Sequence, residues 1–208
     1  MSGCETDRLE IRTSIAYFQR LTRIMGELPH RVVEEIADVL VAAWLKQRSV
    51  FLFGNGGSAA LASHFACDLG KGTAPVLNGT PRMRVLALTD NVSLMTAWAN
   101  DTHYEQIFAE QLRNFVQRED VAFAISGSGN SPNILRALEV ARAAGATTLG
   151  LTGFHGGRMA SLCDHCLIVP SDNMQHIEDL HLCVAHAIFT LVRYRMAQPL
   201  AATVSTSF

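Results

Sequence analysis

Two strand-like segments each run into a glycine-rich turn, and this repeated junction limits the possible folds more than any other feature of the chain. The apolar run 50–53 is followed by the turn 54–58, and the apolar run 121–125 is followed by the turn 126–131. Beyond both turns, apolar residues recur at helical spacing. A strand, a turn of small residues and a helix start indicate an α/β fold whose turns present backbone amides and a helix dipole to an anion.

The composition of the two turns favours a phosphate ester over a nucleotide. Neither turn has the complete G-x-G-x-x-G pattern or the G-K-[ST] ending of a nucleotide-binding loop. Ser131 is predicted to cap a helix whose first residue is Pro132. An ordinary tight turn without a ligand is the alternative. The candidate substrate- and phosphate-binding residues in the turns are Asn55, Gly56, Gly57, Ser58, Ser126, Gly127, Ser128 and Ser131.

Strand and helix patterns alternate along the chain and predict a three-layer α/β/α sandwich with a five-stranded parallel sheet. Strands are expected at 49–53, 84–88, 121–125, 148–151 and 166–169. Parallel strands joined by helical crossovers place a ligand site at the carboxyl ends of the strands, where both turns fall. We expect a single domain with N-terminal helices at 1–48, broken near 28–29, an α/β core at 49–196 and a flexible tail at 197–208.

Composition and charge exclude several classes of function. The 208 residues are 49% apolar with a formal net charge of −2, which suits one globular domain and argues against a nucleic-acid-binding surface. No apolar stretch is long enough to span a membrane, and the polar start 1–12 lacks the apolar core of an export signal, so a cytoplasmic protein is expected. The five cysteines are expected to be reduced, and Cys163 and Cys166 are expected to be half-buried rather than part of a zinc site.

The turns and their surroundings resemble the sugar isomerase (SIS) domain family, and more closely its phosphoheptose isomerase branch. The resemblance runs from about residue 50 to about residue 195. The order and spacing of its segments are more specific than any one of them. These segments are 54–58, 64–68, 99–101, 125–131, 151–153 with 156–157, and 177–181.

The resemblance implies a metal site and an acid/base pair. The positions that match the family's metal ligands are His64, Asp68, Glu178 and His186, and Asp68 and His186 match its acid/base pair. Asp68 stands where the family has a glutamate, and Glu178 where it has a glutamine. Two histidines and two carboxylates suit a divalent metal, and zinc is expected.

Helical spacing supports one part of this metal site and leaves another part open. His64 and Asp68 are four residues apart, so their side chains meet on one helix face. Glu178 and His186 are about 12 Å apart along a regular helix, which is long for two ligands of one ion. Ser171 to His176 is polar enough to allow a late helix start, and His181 is held as the alternative ligand to His186.

The resemblance implies an aldose–ketose isomerase that converts sedoheptulose 7-phosphate to D-glycero-D-manno-heptose 7-phosphate through an enediol. Asn100 and Asp101 are further candidates for binding the substrate, with an Asx turn as the alternative. A non-catalytic SIS protein that binds a sugar phosphate or a regulatory partner is the competing hypothesis. His103, His155 and His176 are expected to lie on the surface or in loops.

Both terminal helical regions have apolar residues on more than one face, which predicts a homo-oligomer. The resemblance implies a tetramer with active sites between subunits.

Overall fold

The computed structural model describes residues 11–74 and 81–198. Seven α-helices and five strands alternate along this part of the chain, with short 3₁₀ or π segments between them. The elements are α1 (Ser14–Gly26), α2 (His30–Leu45), β1 (Ser49–Gly54), α3 (Gly57–Cys67), β2 (Arg84–Ala87), α4 (Val92–Asp101), α5 (Ala109–Phe115), β3 (Val121–Ile125), α6 (Pro132–Ala143), β4 (Thr147–Thr152), β5 (His165–Ile168) and α7 (Met174–Ala197).

The strands form one parallel sheet in the order β2-β1-β3-β4-β5. Gly54 is paired with Ile125, and Ile125 with Leu151, so the central strands end at the same edge of the sheet. Every residue of β3 is buried, as expected for a strand covered by helices on both faces. The predicted α/β fold is confirmed, and each strand end lies within one residue of its predicted position.

Two apolar layers cover the two faces of the sheet and make the three-layer sandwich. One layer packs α2, α3 and α7 against the sheet through residues such as Leu40, Phe65 and Ile188. The other packs α5 and α6 against the opposite face through residues such as Leu112 and Leu138. Burying each of these side chains contributes about 1.5–3 kcal/mol to folding.

Side-chain caps fix the starts of the helices at the two ends of the domain. The Thr13 hydroxyl accepts from the amide of Ala16 at 3.2 Å and begins α1. Asn173 Oδ1 accepts from the amides of Gln175 and His176, at 3.0 and 3.2 Å, and begins α7. The break predicted near 28–29 is present, because α1 ends at Gly26 and α2 begins at His30.

The segments at both ends of the chain bear on two expectations. The last helix, α7, runs from Met174 to Ala197, and the remainder of the expected flexible tail lies outside the described residues from 199 onward. The polar start 1–10, with its cysteine, also lies outside them. Within 11–74 and 81–198, no helix is both long and apolar enough to cross a membrane.

Candidate active site

The first glycine-rich turn connects β1 to α3 and is tight enough to require glycine. Gly56 has a φ of 55°, a conformation that other residues rarely adopt. A Cβ on Gly54 would lie 2.7 Å from the backbone of Ser58, so a side chain there would push the helix start away. The turn therefore places Gly57 and the buried Ser58 at the carboxyl edge of the sheet.

The second turn connects β3 to α6 and brings two serine hydroxyls together. Ser131 occupies the predicted N-cap position before Pro132, but its hydroxyl does not cap the helix. Ser131 Oγ instead lies 3.5 Å from Oγ of Ser126, which is buried, while Ser128 is half-buried nearby in the turn. The Ser126 and Ser131 hydroxyls can therefore share one ligand.

The loop that follows β4 supports the second turn from outside. The amide of Gly153 donates to the carbonyl of Gly127 at 2.9 Å, and the amide of Met159 donates to the carbonyl of Gly129 at 2.9 Å. Gly129 has a φ of 63°, and a Cβ there would lie 2.2 Å from the carbonyl oxygen of Gly156. The turn is thus held in one conformation by backbone contacts.

A pair of side-chain amides joins the two turns to each other. Asn55 Nδ2 donates to Asn133 Oδ1 at 2.9 Å, and Asn133 Nδ2 donates back to Asn55 Oδ1 at 2.8 Å. The Tyr104 hydroxyl donates to the same Asn55 oxygen at 3.2 Å. Asn55 was expected to bind substrate, whereas the structure shows its side chain already in hydrogen bonds across the site.

His64, Asp68 and His186 come together where α3 ends beside α7. Their ligand atoms all lie within 4.8 Å of one another. Asp68 Oδ2 is 3.5 Å from His64 Nε2 and 3.7 Å from His186 Nε2, and the two Nε2 atoms are 3.3 Å apart. Both imidazoles are about half exposed, with side-chain exposures of 49% for His64 and 50% for His186. Three ligand atoms at this spacing can hold a single small cation.

The helix changes from α-helical to π-helical geometry at Asp68, the carboxylate of this group. α3 ends at Cys67, and a π-helical segment, Asp68–Gly72, begins at the next residue. π-Helical turns are rare and occur mostly at functional sites. His64 and Asp68 nevertheless remain close, as their spacing of four residues predicts.

Glu178, which was expected to complete the set of metal ligands, lies elsewhere in the site. Among the described residues, the group whose ligand atoms converge contains only His64, Asp68 and His186. Helix α7 begins at Met174, so Glu178 falls in its second turn rather than at its start. Its Oε1 lies 3.3 Å from the position that a Cβ on Gly57 would occupy, which places the carboxylate against the first turn.

A cavity of about 250 Å³ between α3 and α7 extends from the first turn to His64, one member of the three-residue group. Gly57 and Ser58 line one part of it and His64 another, while α7 supplies the facing wall. This wall consists of Glu178, Asp179, His181 and Leu182. A ligand anchored at the first turn could extend along the cavity toward His64.

His181 lies in the cavity wall and is 1% exposed. Within the described residues, neither of its ring nitrogens has a hydrogen-bond partner at ordinary geometry. Burial lowers its pKa to about 4, and a weaker interaction with the backbone of Thr152 acts in the opposite direction. The ring is therefore neutral at physiological pH. His181, the alternative metal ligand to His186, is not among the described residues whose ligand atoms converge.

Two contacts beside the cavity were not expected from the sequence. His176 was expected in a loop or on the surface, but it is 1% exposed in the first turn of α7, and its ring lies 4.5 Å from the ring of Tyr17 at a tilt of 46°. The Tyr17 hydroxyl donates to Asp179 Oδ2 in a short hydrogen bond. Burial, reinforced by this hydrogen bond, raises the pKa of Tyr17 to about 12. Helix α1 is thus anchored to the cavity wall.

Asn100 and Asp101 occupy the end of α4 and are exposed. Asn100 Nδ2 donates to Asp101 Oδ1 at 2.8 Å, so the two side chains are paired. They form the last two residues of the helix rather than a turn after it. Neither residue lines the cavity between α3 and α7.

Cys163 and Cys166 lie away from the cavity, next to β4. Their sulfurs are 2.9 and 3.1 Å from the position that a Cβ on Gly150 would occupy. Their mutual hydrogen bond, followed by burial, raises the pKa of Cys163, while the same hydrogen bond lowers the pKa of Cys166. Both are half-buried as expected, and within the described residues no third ligand joins them to form a metal site.

Comparison with known proteins places the same features in a known family. A model of the SIS domain matches residues 16–153. The phosphoheptose isomerase of Aneurinibacillus thermoaerophilus is 40% identical over 162 residues, which is 78% of this chain and 80% of that protein.

Solved structures of two phosphoheptose isomerases are also similar to this chain. The structure of GmhA from Neisseria gonorrhoeae has a TM-score of 0.80 at 27% identity and covers 86% of this chain and 96% of that one. The enzyme from Francisella tularensis has a TM-score of 0.78 at 30% identity, with 86% and 95% covered.

Proposed function

Because the chain belongs to the SIS domain family, we propose that it is a phosphoheptose isomerase that converts sedoheptulose 7-phosphate to D-glycero-D-manno-heptose 7-phosphate. The main support is the likeness to phosphoheptose isomerases over most of both chains. The site has the parts that this reaction requires: a place for a phosphate, a cavity for a sugar chain, and an acid with imidazoles beside it.

The phosphate is bound by the two glycine-rich turns. Ser58, Ser126 and Ser131 offer hydroxyl groups, and the helix starts of α3 and α6 offer backbone amides and the positive ends of their dipoles. Such contacts fix the phosphate end of the substrate and do not depend on the length of the sugar attached to it. Contacts along the cavity between α3 and α7 must then select the length of the sugar.

His64, Asp68 and His186 hold a divalent metal, with zinc as the best match. In a tetrahedral zinc site with bonds of about 2.0–2.2 Å, neighbouring donor atoms lie about 3.3–3.6 Å apart. The three donor atoms here are separated by 3.3, 3.5 and 3.7 Å, close to three corners of such a tetrahedron. A bound metal would supply a positive charge that polarises the sugar carbonyl. Glu178 remains a candidate ligand only if its side chain moves away from Gly57.

Asp68 and His186 form the acid/base pair that moves the proton between adjacent sugar carbons. Because His186 Nε2 would hold the metal, the acid of this pair would be its Nδ1–H. Isomerisation through an enediol needs a base over carbon and an acid near the carbonyl oxygen. Asp68 Oδ2 faces the two imidazoles, which leaves Oδ1 for the proton on carbon. Asp68 is three-quarters buried, and a base shielded from water retains its proton for transfer to the neighbouring carbon.

Other copies of the chain complete the site, in a homo-oligomer that we propose is a tetramer. The imidazoles of His64 and His186 are half exposed in a single chain, although the reaction requires a site that excludes water. Helix α1 exposes Ile15 and Phe18, at 68% and 60%, and α7 exposes Tyr194 at 66%. Large apolar side chains on two neighbouring helices are typical of a subunit interface.

The competing hypothesis, a non-catalytic sugar-phosphate-binding protein, is not favoured. The relatives at this level of identity are named as phosphoheptose isomerases. A protein that only binds a sugar phosphate needs the turns but not two imidazoles and a carboxylate within 4.8 Å.

Turnover of sedoheptulose 7-phosphate by the purified protein, with metal content measured alongside, tests the proposal. The parent should form an aldose phosphate and contain about one divalent metal per chain. Asp68→Asn should lower both metal content and turnover, the latter by at least about 100-fold, because it removes the base. Asp68→Glu should retain the metal and keep or raise the activity.

Asp38→Asn serves as the control, because Asp38 lies on α2 and pairs with Arg195 rather than with the site. This variant should keep the activity of the parent. A well-folded parent that binds metal but turns over no ketose phosphate, with Asp68→Glu equally inactive, would overturn the assignment as an isomerase.

A further inference from the structure

The two glycine-rich turns come from strands far apart in the chain, yet a reciprocal pair of amide hydrogen bonds joins them. The partners are separated by 78 residues in sequence, and the two bonds measure 2.9 and 2.8 Å. Each amide therefore donates to and accepts from the other. Asn133 is 1% exposed, so water cannot substitute for these bonds.

Each end of this pair is tied to the backbone of one turn. Asn55 lies between β1 and α3, directly before Gly56 and Gly57. Asn133 is the second residue of α6, two positions after Ser131, and its Oδ1 also accepts from the amide of Ile134 at 3.0 Å. The amide pair consequently fixes the distance between the glycines of the first turn and the serines of the second.

The arrangement also orients Asn55. Asn55 Oδ1 accepts from both Asn133 Nδ2 and the Tyr104 hydroxyl, so the oxygen must face these donors and the amide cannot flip without losing them. Asn55 Nδ2 uses one hydrogen on Asn133 and retains a second one. Two donors on the carbonyl oxygen polarise the amide and make the remaining N–H a stronger donor.

We propose that Asn133 is a positioning residue of the phosphate site, which acts through Asn55 to hold the two turns together as one anion-binding site. The inference rests on the proposed function insofar as the anion is the phosphate of the sugar. Asn133 itself does not touch the substrate. Removal of its amide releases the first turn from the second and weakens binding of any phosphate, whatever sugar carries it.

The test compares Asn133→Leu and Asn133→Asp with the parent, using inorganic phosphate in calorimetric titration and sedoheptulose 7-phosphate in turnover. Leucine keeps the volume and removes both hydrogen bonds, and we expect roughly tenfold weaker phosphate binding. The KM should rise by a similar factor while kcat stays within about threefold, because the anchor holds ground state and transition state alike. Aspartate can still accept from Asn55 but cannot donate, and its charge opposes the anion, so the loss should be larger.

Gln111→Met is the matched control for loss of a buried amide. Gln111 is 2% exposed, and its Nε2 donates to the carbonyls of Leu88 and Ile107 at 3.1 and 2.7 Å, away from both turns. This variant should lower the melting temperature without changing phosphate affinity or KM. Tyr104→Phe, which removes only the longer bond to Asn55, should weaken phosphate binding by about two- to threefold.

The outcomes separate this inference from the proposed function. If the parent binds phosphate and Asn133→Leu binds it more weakly, while the parent and Asp68→Glu both lack isomerase activity, the positioning role is supported and the isomerase assignment is removed. If folded Asn133→Leu binds phosphate as the parent does, or loses only stability as Gln111→Met does, the positioning role is refuted. A parent that binds neither phosphate nor sugar phosphate overturns both.

Discussion

His181 should make the stability of the protein depend on pH in a way that a single substitution removes. The ring is buried in the cavity wall, and its pKa is lowered from 6.5 to about 4. Since the folded-state pKa lies below the unfolded-state value, protons bind the unfolded chain preferentially between these values. This contribution to stability is complete above pH 6.5 and is lost as the pH falls toward 4.

The size of the effect follows from the two pKa values. Each unit of difference between the two pKa values corresponds to about 1.4 kcal/mol. The protein should therefore lose on the order of 3 kcal/mol of folding stability from pH 7 to pH 4. Glu178, Asp179 and His64 are the other titratable groups that line the same cavity. They are present in both parent and variant, and the difference between the two proteins isolates His181.

The assay is denaturant unfolding of the parent and His181→Leu at several pH values from 7 to 4.5, at one fixed protein concentration. Below pH 6.5 the free energy of unfolding of the parent should fall faster than that of the variant, by up to about 1.4 kcal/mol for each pH unit. At pH 7 the variant should be no less stable, because leucine replaces a buried ring whose nitrogens lack good partners. His155→Leu, at an exposed position, should follow the parent.

Parallel pH profiles for parent and His181→Leu would refute the reasoning. One good hydrogen bond contributes about 1–2 kcal/mol. If the variant is less stable than the parent at pH 7 by more than this, the ring is held by a strong interaction and burial does not control its pKa.

Ser126→Ala and Ser131→Ala should each weaken sugar-phosphate binding by about 1–2 kcal/mol, measured by titration, because each removes a hydroxyl that can donate to a charged oxygen. Ser161→Ala, whose hydroxyl donates only to the carbonyl of Arg158, is the control, and unchanged affinity in both test variants would contradict the role of the turns. Light scattering at micromolar concentration should give a multiple of the 22.7 kDa chain mass, since Ile15 and Phe18 are exposed on α1, and a monomer would contradict the shared site.

The sequence predicted the fold well where local patterns and packing agree. Strand β3 is a fully buried apolar run between the polar pair at 119–120 and the serine turn, and its ends match the prediction. The start of helix α4 depends on a side-chain cap rather than on an apolar pattern. Asn91 Oδ1 accepts from the amide of Leu94 at 3.0 Å and begins the helix at Val92.

The site was predicted in its parts but not in its connections. The spacing of His64 and Asp68 predicts their contact, because both lie on successive helical turns. No local pattern pairs Asn55 with Asn133 or Tyr17 with Asp179, since these contacts depend on how distant elements pack. His176 was expected on the surface or in a loop, but the packing of α1 against α7 buries it.

The resemblance places a glutamate of the family at the position of Asp68, and an aspartate there should limit the reach of the acid more than it limits metal binding. Asp68 Oδ2 already lies 3.5 and 3.7 Å from the two imidazole nitrogens, so the shorter side chain is long enough to join them on one ion. The shorter side chain does not extend as far toward the substrate. A misplacement of about 1 Å can lower the rate about 100-fold. The effect of the missing methylene should therefore appear in kcat rather than in metal content. For this reason Asp68→Glu, which restores reach without adding a new ligand type, separates the two roles of the acid more cleanly than any substitution that removes it.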